Sequence, residues 1–163
     1  MRLVPLHTLF DIKYGNSLEL INLEQCSKHC PNSINFISRT EKNNGISAFV
    51  LKDEKIMENP ANTISVAVGG SVLASFFQTK PYYTGYHILV LSLKKQMSIA
   101  ESLFYCDCIR LNRYKYNYGR QANKTLGGIM LPAEMPNEFK KITLASIRKS
   151  IVLTMVENGI EDE

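Results

Sequence analysis

The chain lacks any apolar run of the roughly 18 residues that a membrane-spanning helix requires. It also lacks a signal-peptide pattern, because the first ten residues form too short an apolar stretch and are interrupted by Pro5 and His7. We therefore expect a cytoplasmic protein without a membrane partner. With 163 residues, 45% of them hydrophobic, the chain can build one core, and we expect a single globular domain.

Residues suited to catalysis are scarce. The three histidines, His7, His29 and His87, stand in no motif that pairs a nucleophile with a base. His87 falls inside an apolar segment that we interpret as a strand, where a structural histidine is commoner than a catalytic one. No two carboxylates are spaced for acid-base work. The sequence predicts a protein that is not an enzyme, and a nuclease or other enzyme is the least favoured alternative.

Cysteine is also sparse, and its spacing argues against a metal site. The segment CSKHC offers Cys26, His29 and Cys30, and CDC offers Cys106 and Cys108. If the second pair lies on a helix, its side chains point about 200° apart and cannot share one zinc ion. We expect reduced thiols, no metal and no bound cofactor.

Acidic residues are absent from positions 109 to 132, although the same stretch is rich in bases. Its bases are Arg110, Arg113, Lys115, Arg120 and Lys124. Four of the fifteen acids stand in the last seven residues, which leaves 11 acids against 19 bases before them. Such a surface suits a polyanion such as nucleic acid. The alternative for a charge run alone is a solvated basic face.

Two hairpins and one further strand are predicted in the first part of the chain. Residues 34–51 carry two β-rich runs around Asn43-Asn44-Gly45, whose residues tolerate positive φ. Residues 63–77 repeat this arrangement around Gly69-Gly70, where no lysine follows as a phosphate-binding loop would require. Residues 86–93 are apolar enough for a strand buried on both faces.

After residue 93, the spacing of the apolar residues changes to that of a helix. Ser98 and Glu101 match a capping box for a helix over residues 99–113. A second helix is expected over residues 137–157. This order predicts an α+β fold: a single compact domain with a mixed β-sheet, a packed helix and a C-terminal helix.

The segment YKYNYGRQANK, residues 114–124, places tyrosines at positions 114, 116 and 118. An extended backbone would put these rings on one face and the bases on the other, with a turn at Gly119. Arginine can bond a phosphate or a guanine edge, and Gln121 and Asn123 match the adenine edge. A strand whose tyrosines pack on the core is the alternative.

Four segments in order resemble a known family: FDIKYGNSLEL, INFISRTEKNNGISAFV, TISVAVGGSVLASFFQTKPYYTG and YGRQANKTLGGIMLP. They resemble the target recognition domain of type I restriction-modification specificity subunits and of BcgI-like type II restriction enzymes. The resemblance covers about residues 8–133. It implies a domain that binds double-stranded DNA, recognises one half of a bipartite target, and directs a methyltransferase or endonuclease to it.

The resemblance also implies that recognition and chemistry are carried out by different subunits. The partner methyltransferase would carry S-adenosylmethionine and the chemistry, and a restriction subunit is a further possible partner. Full specificity subunits contain two such domains, so this chain would dimerise, belong to a larger enzyme, or be a stand-alone relative with another use. Residues 1–133 would form the target recognition domain, and residues 134–163 a C-terminal helix and acidic tail.

Three groups of residues are candidates for the DNA interface. The matching motif positions are Ser38-Arg39-Thr40, Asn43-Asn44-Gly45, residues 69–71 and Tyr118-Gly119-Arg120. Phosphate contacts are expected from Arg110, Arg113, Lys115, Arg120 and Lys124. Groove contacts are expected from Arg39, Lys42, Asn43, Asn44, Lys80, Gln121 and Asn123. Tyr82, Tyr83 and Tyr118 either bond phosphates or pack the loops.

The rival hypothesis is a protein-interaction module with little DNA binding of its own. It would dock on a methyltransferase or a sister specificity subunit through the helix at residues 137–157. The apolar stripe Leu144, Ile147, Ile151 and Met155 would face that partner or the core.

Overall fold

The computed structural model of the chain describes residues 1–116 and 121–140. It divides into two units, Met1–Ala133 and Glu134–Glu163. The described residues of the second unit contain helix α3 (Asn137–Lys140), which starts at the position predicted for the C-terminal helix. The rest of that helix and its apolar stripe lie outside the described residues.

The described part of the first unit contains nine strands and two α-helices. The strands are β1 (Leu3–Pro5), β2 (Phe10–Tyr14), β3 (Ser33–Ile37), β4 (Ile46–Leu51), β5 (Thr63–Ala67), β6 (Ser75–Gln78), β7 (Tyr82–Thr84), β8 (Ile88–Leu93) and β9 (Met130–Pro132). The helices are α1 (Leu6–Leu9) and α2 (Ile99–Arg110). Short 3-10 helices occupy Leu20–Asn22, Asn43–Gly45, Leu111–Tyr116 and Leu126–Gly128.

An antiparallel four-stranded sheet in the order β2-β8-β5-β6 forms the centre of this unit. Every residue of β5 is buried, because both faces of the sheet are covered. On one face, Ile64 and Val66 belong to the apolar cluster that contains Tyr105 and Ile109 of α2. This packing places α2 against the sheet, as the helical spacing of its apolar residues predicts.

The opposite face of the central sheet packs against a second sheet in the order β4-β3-β7. Ala67 and Val90 of the central sheet share an apolar cluster with Ile37 of β3 and Tyr82 of β7. Strand β3 is antiparallel to β4 and parallel to β7, so this sheet is mixed. The two strands β1 and β9 form a third, antiparallel pair. The predicted α+β domain with a mixed sheet and a packed helix is confirmed.

Both predicted hairpins and the predicted capping box are present. Strands β3 and β4 join through Asn43–Gly45, and strands β5 and β6 join through the connection that contains Gly69-Gly70. The Ser98 hydroxyl accepts from the Glu101 N–H, and the Glu101 carboxylate accepts from the Ser98 N–H. These elements could be predicted because the turn residues and the capping residues stabilise the backbone locally, through the conformations they tolerate and the hydrogen bonds they form.

Two local predictions were wrong. The predicted strand at residues 86–93 is present as β8 but begins at Ile88, because His87 precedes it with a φ of 60°, outside the extended region of a strand. Helix α2 ends at Arg110, and Leu111–Tyr116 continues as a 3-10 helix instead of an extended strand. The Asn112 side chain donates to the Cys108 carbonyl at 2.9 Å and so gives a hydrogen-bond partner to a carbonyl in the last turn of the helix. Tyr114 and Tyr116 therefore do not lie together on one face of a strand, as an extended backbone would have placed them.

Candidate nucleic-acid interface

Three segments that are distant in sequence meet at one surface. A Cβ atom placed on Gly70 would lie 3.2 Å from the Arg39 Cβ, and one placed on Gly69 would lie 3.7 Å from the Gln121 Nε2. The Ala122 N–H donates to the Val68 carbonyl at 3.0 Å. We call the surface formed by residues 38–45, 68–74 and 121–125 the three-loop surface. It unites residues from three of the four family-like segments.

The first loop, residues 38–45, turns through consecutive left-handed residues. Asn43, Asn44 and Gly45 have φ values of 49°, 56° and 80°. Asparagine and glycine tolerate this region, which explains why the sequence places them here. A Cβ on Gly45 would lie 3.1 Å from the ring of Phe76, so the turn sits directly on strand β6.

A buried amide fixes this turn to the central sheet. Gln78, only 2% exposed, donates through Nε2 to the Asn44 carbonyl at 2.9 Å and to the Ser65 hydroxyl at 3.0 Å. The Asn44 side chain donates in return to the Gln78 Oε1 at 3.3 Å. The amide of Asn44, predicted to contact a base, is thus engaged in holding the loop. Gln78 was missed by the sequence analysis, because a glutamine at the end of an apolar strand carries no distinctive signal.

The unpaired cations of the surface lie on its first and third loops. Arg39, Lys42 and Lys124 are exposed, and none of them forms an ion pair with any residue that the structure describes. Asn43 is exposed in the same loop as Lys42. Unpaired cations on neighbouring loops attract phosphate groups.

Two of the predicted phosphate ligands, Arg110 and Arg113, bond carboxylates and backbone carbonyls of the protein instead. The Arg110 guanidinium donates to the Asp107 carboxylate at 2.9 Å and to the Ser75 carbonyl, and it stacks 4.7 Å from the centre of the Phe76 ring. These contacts attach the end of α2 to strand β6. Arg110 therefore positions the elements beneath the three-loop surface.

Arg113 ties two loops together. Its Nε donates to the Val72 carbonyl at 2.8 Å, and its Nη2 pairs with the Glu41 carboxylate at 2.6 Å. Arg113, Glu41, Val72 and Gln121 line a concavity of about 430 Å³ together with Gly69-Gly70-Ser71. The sequence analysis missed Glu41, because nothing local indicates which acid an arginine 72 positions away will contact.

The third segment carries the predicted amides. Gln121 is exposed, and its Oε1 accepts from the Asn123 Nδ2 at 2.8 Å. The Tyr116 hydroxyl lies 2.9 Å from the Thr125 hydroxyl and connects the 3-10 helix to this segment. Lys115 donates to the Asn112 side chain at 2.7 Å, while Tyr114 is 68% exposed. Tyr118, Gly119 and Arg120 lie outside the described residues.

The remaining predicted residues lie elsewhere. Tyr82 and Tyr83 are fully buried, and each hydroxyl bonds within the protein, which leaves packing as their role. Burial raises the pKa of Tyr82 to about 12. Lys80 is exposed at the turn between β6 and β7, where it lines a second, larger cleft with Asn44.

The cysteines separate into two chemical settings. Burial raises the pKa of Cys106 to about 12 and that of Cys108 to about 11. Both lie on α2, two positions apart, so they point in different directions. A hydrogen bond from Ser27 lowers the pKa of Cys30. Within residues 1–116 and 121–140, no cluster of three or more metal-ligating side chains occurs.

None of the helices in the described residues is long and apolar enough to cross a membrane. No curated protein matches the chain. Among solved structures, the chain is similar to the type I restriction-modification system S subunit from M. genitalium, with 17% identity and a TM-score of 0.60 over 86% of this chain and 36% of that one.

Two further solved structures share the fold. The HsdS subunit from Thermoanaerobacter tengcongensis has 12% identity and a TM-score of 0.64, over 96% of this chain and 39% of that one. A structure titled as the basis of complex assembly and conformational transition of the type I R-M system has 14% identity and a TM-score of 0.66, over 98% and 40%. The chain therefore spans about two fifths of each of these proteins.

The family comparison is more specific than the fold. The family model described as the type I restriction modification DNA specificity domain matches residues 5–131, most of the chain. The resemblance to type I specificity subunits is confirmed, and the likeness to BcgI-like enzymes stays a prediction. From this match, the chain belongs to the type I restriction modification DNA specificity domain family.

Proposed function

We propose that this chain binds duplex DNA through the three-loop surface and selects the target sequence of a restriction-modification system. The observation that carries the proposal is that the two loops carrying Arg39, Lys42 and Lys124, which form no ion pair with the described residues, meet at the loop of Gly69-Gly70, with Arg39 itself against Gly70. Unpaired cations neutralise phosphates and release counterions, which supplies most of the affinity of such an interface.

Sequence selection requires groups that reach base edges. Arg39 can contact a guanine edge in a fork, and Gln121 presents an exposed amide beside Gly69. The absence of side chains at Gly69-Gly70 lets the loops of Arg39 and Gln121 approach this turn closely, since a Cβ on Gly70 would lie 3.2 Å from the Arg39 Cβ. The proposed set of base contacts is completed by Asn43 and Asn123. The proposed set of phosphate contacts is completed by Lys115, Arg120 and Lys124. Tyr118 would bond a phosphate or pack the loops, since both roles suit a tyrosine.

The proposed role is binding and not catalysis. A methyltransferase partner would supply S-adenosylmethionine and transfer the methyl group, and a restriction subunit would cleave. This division is supported by the fold shared with a structure whose title concerns complex assembly of the type I R-M system. Because the chain spans two fifths of that protein, it would recognise one half of a bipartite target and pair with a second copy or a larger subunit.

Selection of bound fragments from random duplex DNA, with and without the methyltransferase, tests this proposal. The selected duplex is then titrated at several salt concentrations by fluorescence anisotropy. If about five phosphates are neutralised, the logarithm of affinity should fall with the logarithm of salt at a slope of about −4 to −5.

Two double variants locate the interface. The variant R39A/K42A should weaken DNA binding on the order of tenfold or more, since it removes two cations of the three-loop surface. The matched control K13A/K95A removes two exposed lysines that lie outside this surface and lack an ion pair among the described residues. Equal loss in both variants would contradict the assignment. Methyltransferase binding without DNA binding would favour the docking module.

A further inference from the structure

The larger cleft of the first unit is built over strands β3 and β4 and has a volume of about 690 Å³. Asn35 and Phe49, which are paired across these strands, both line it. Part of its lining comes from residues 28–29 and 32–33, and another part from Thr79, Lys80 and Pro81 of the turn after β6. Its lining mixes ammonium, amide and hydroxyl groups with the apolar side chains of Ile34, Ile46 and Phe49, whereas small-molecule pockets are mainly apolar.

The cleft carries an excess of positive charge. Lys28, Lys52 and Lys80 line it against a single acid, Glu58. Glu58 pairs with Lys52 at 3.1 Å, so their charges cancel. Lys28 and Lys80 are exposed and form no ion pair with any residue in the described part of the chain. Two uncompensated cations across a polar concavity suit an anionic chain.

The cleft is continuous with the three-loop surface through one residue pair. Asn44 belongs to the first loop and also lines the cleft. Its partner Gln78 lines the cleft as well, and Lys80 follows two positions later. Lys42, two positions before Asn44, is exposed on the same loop. A strand of DNA that crosses this loop would pass from one cationic surface to the next.

We infer that this cleft binds the sugar-phosphate backbone of the same duplex, with Lys28 and Lys80 each neutralising a phosphate. The inference rests on the proposed function and extends it to residues of a second surface. Backbone charges recur about every 3.4 Å along one strand, so a continuous cationic path collects several of them. Contacts of this kind position the duplex without specifying its sequence.

The double variant K28A/K80A tests the inference on the full chain with the selected duplex. Loss of two phosphate contacts should make the salt slope less steep by about 2, and weaken binding at 0.1 M salt on the order of tenfold or more. The order of preference among altered target sequences should not change. The control K13A/K95A removes the same charge elsewhere and should leave the slope near that of the parent chain.

The outcomes separate the two proposals. If the parent chain binds DNA and K28A/K80A has the same slope and affinity as K13A/K95A, the cleft inference is overturned and the three-loop surface stands. If K28A/K80A instead changes the preferred sequence, the cleft contacts bases and the backbone assignment is overturned. If the parent chain binds no duplex at any salt concentration, the proposed function is contradicted, and the cleft inference that rests on it is overturned as well. Thermal unfolding of each variant verifies that it is folded.

Discussion

At the scale of individual residues, a run of bases in the sequence does not mean that every base is free to bind DNA. Arg110 and Arg113 stand in the same acid-free stretch as Lys124, yet both guanidinium groups are engaged with carbonyls and carboxylates of the protein. Lys124 forms no ion pair with the described residues. The sequence identifies the bases, but the partner of each depends on contacts with distant parts of the chain, such as Glu41.

Replacing Arg113 should therefore affect the stability of the fold. The change R113A removes the bond to the Val72 carbonyl and the pair with Glu41, and should lower the free energy of unfolding by about 1–2 kcal/mol. The change R39A, at an exposed residue without an ion pair among those described, should alter it by less than about 0.5 kcal/mol. Urea unfolding followed by circular dichroism measures both. Equal effects would contradict the division between Arg113 and Arg39.

Secondary-structure elements were predictable where local chemistry decides them. The turn at Asn43–Gly45 and the capping box of α2 depend on residues within four positions of one another. The segment Leu111–Tyr116 was not predictable in this way, because alternating tyrosines imitate a strand. Its 3-10 conformation is supported by contacts such as the bond between Tyr116 and Thr125, nine positions away. His87 likewise gave no local sign of its left-handed backbone.

The turn at Gly45 offers a test at this scale. Alanine there would take a φ of 80° and place its Cβ 3.1 Å from the Phe76 ring and 3.3 Å from the Ile37 Cγ2. We expect G45A to lower the free energy of unfolding by about 1–3 kcal/mol. The control G128A meets nothing within 4 Å and should be nearly neutral. Chemical unfolding of the two variants compares them, and a G45A protein as stable as G128A would contradict the strained turn.

Across the whole molecule, the packing of two sheets determines the geometry of the proposed interface. The first loop extends from the β3–β4 hairpin of one sheet, and the second from the β5–β6 hairpin of the other. Ile37, Ala67 and Ala74 lie beside these loops and belong to the apolar cluster between the sheets. The family-like segments indicate which positions are candidates for the site. Their meeting at one surface follows only from the long-range packing.

Hydrogen–deuterium exchange of the full chain, with and without its selected duplex, tests the central claim most directly, because it locates the bound DNA on the protein. The account predicts slower exchange on DNA binding in residues 38–45 and 68–74, and little change in β1 and β9, which form a separate strand pair. Unchanged exchange in both loops while the duplex is bound would show that the DNA lies against another part of the chain.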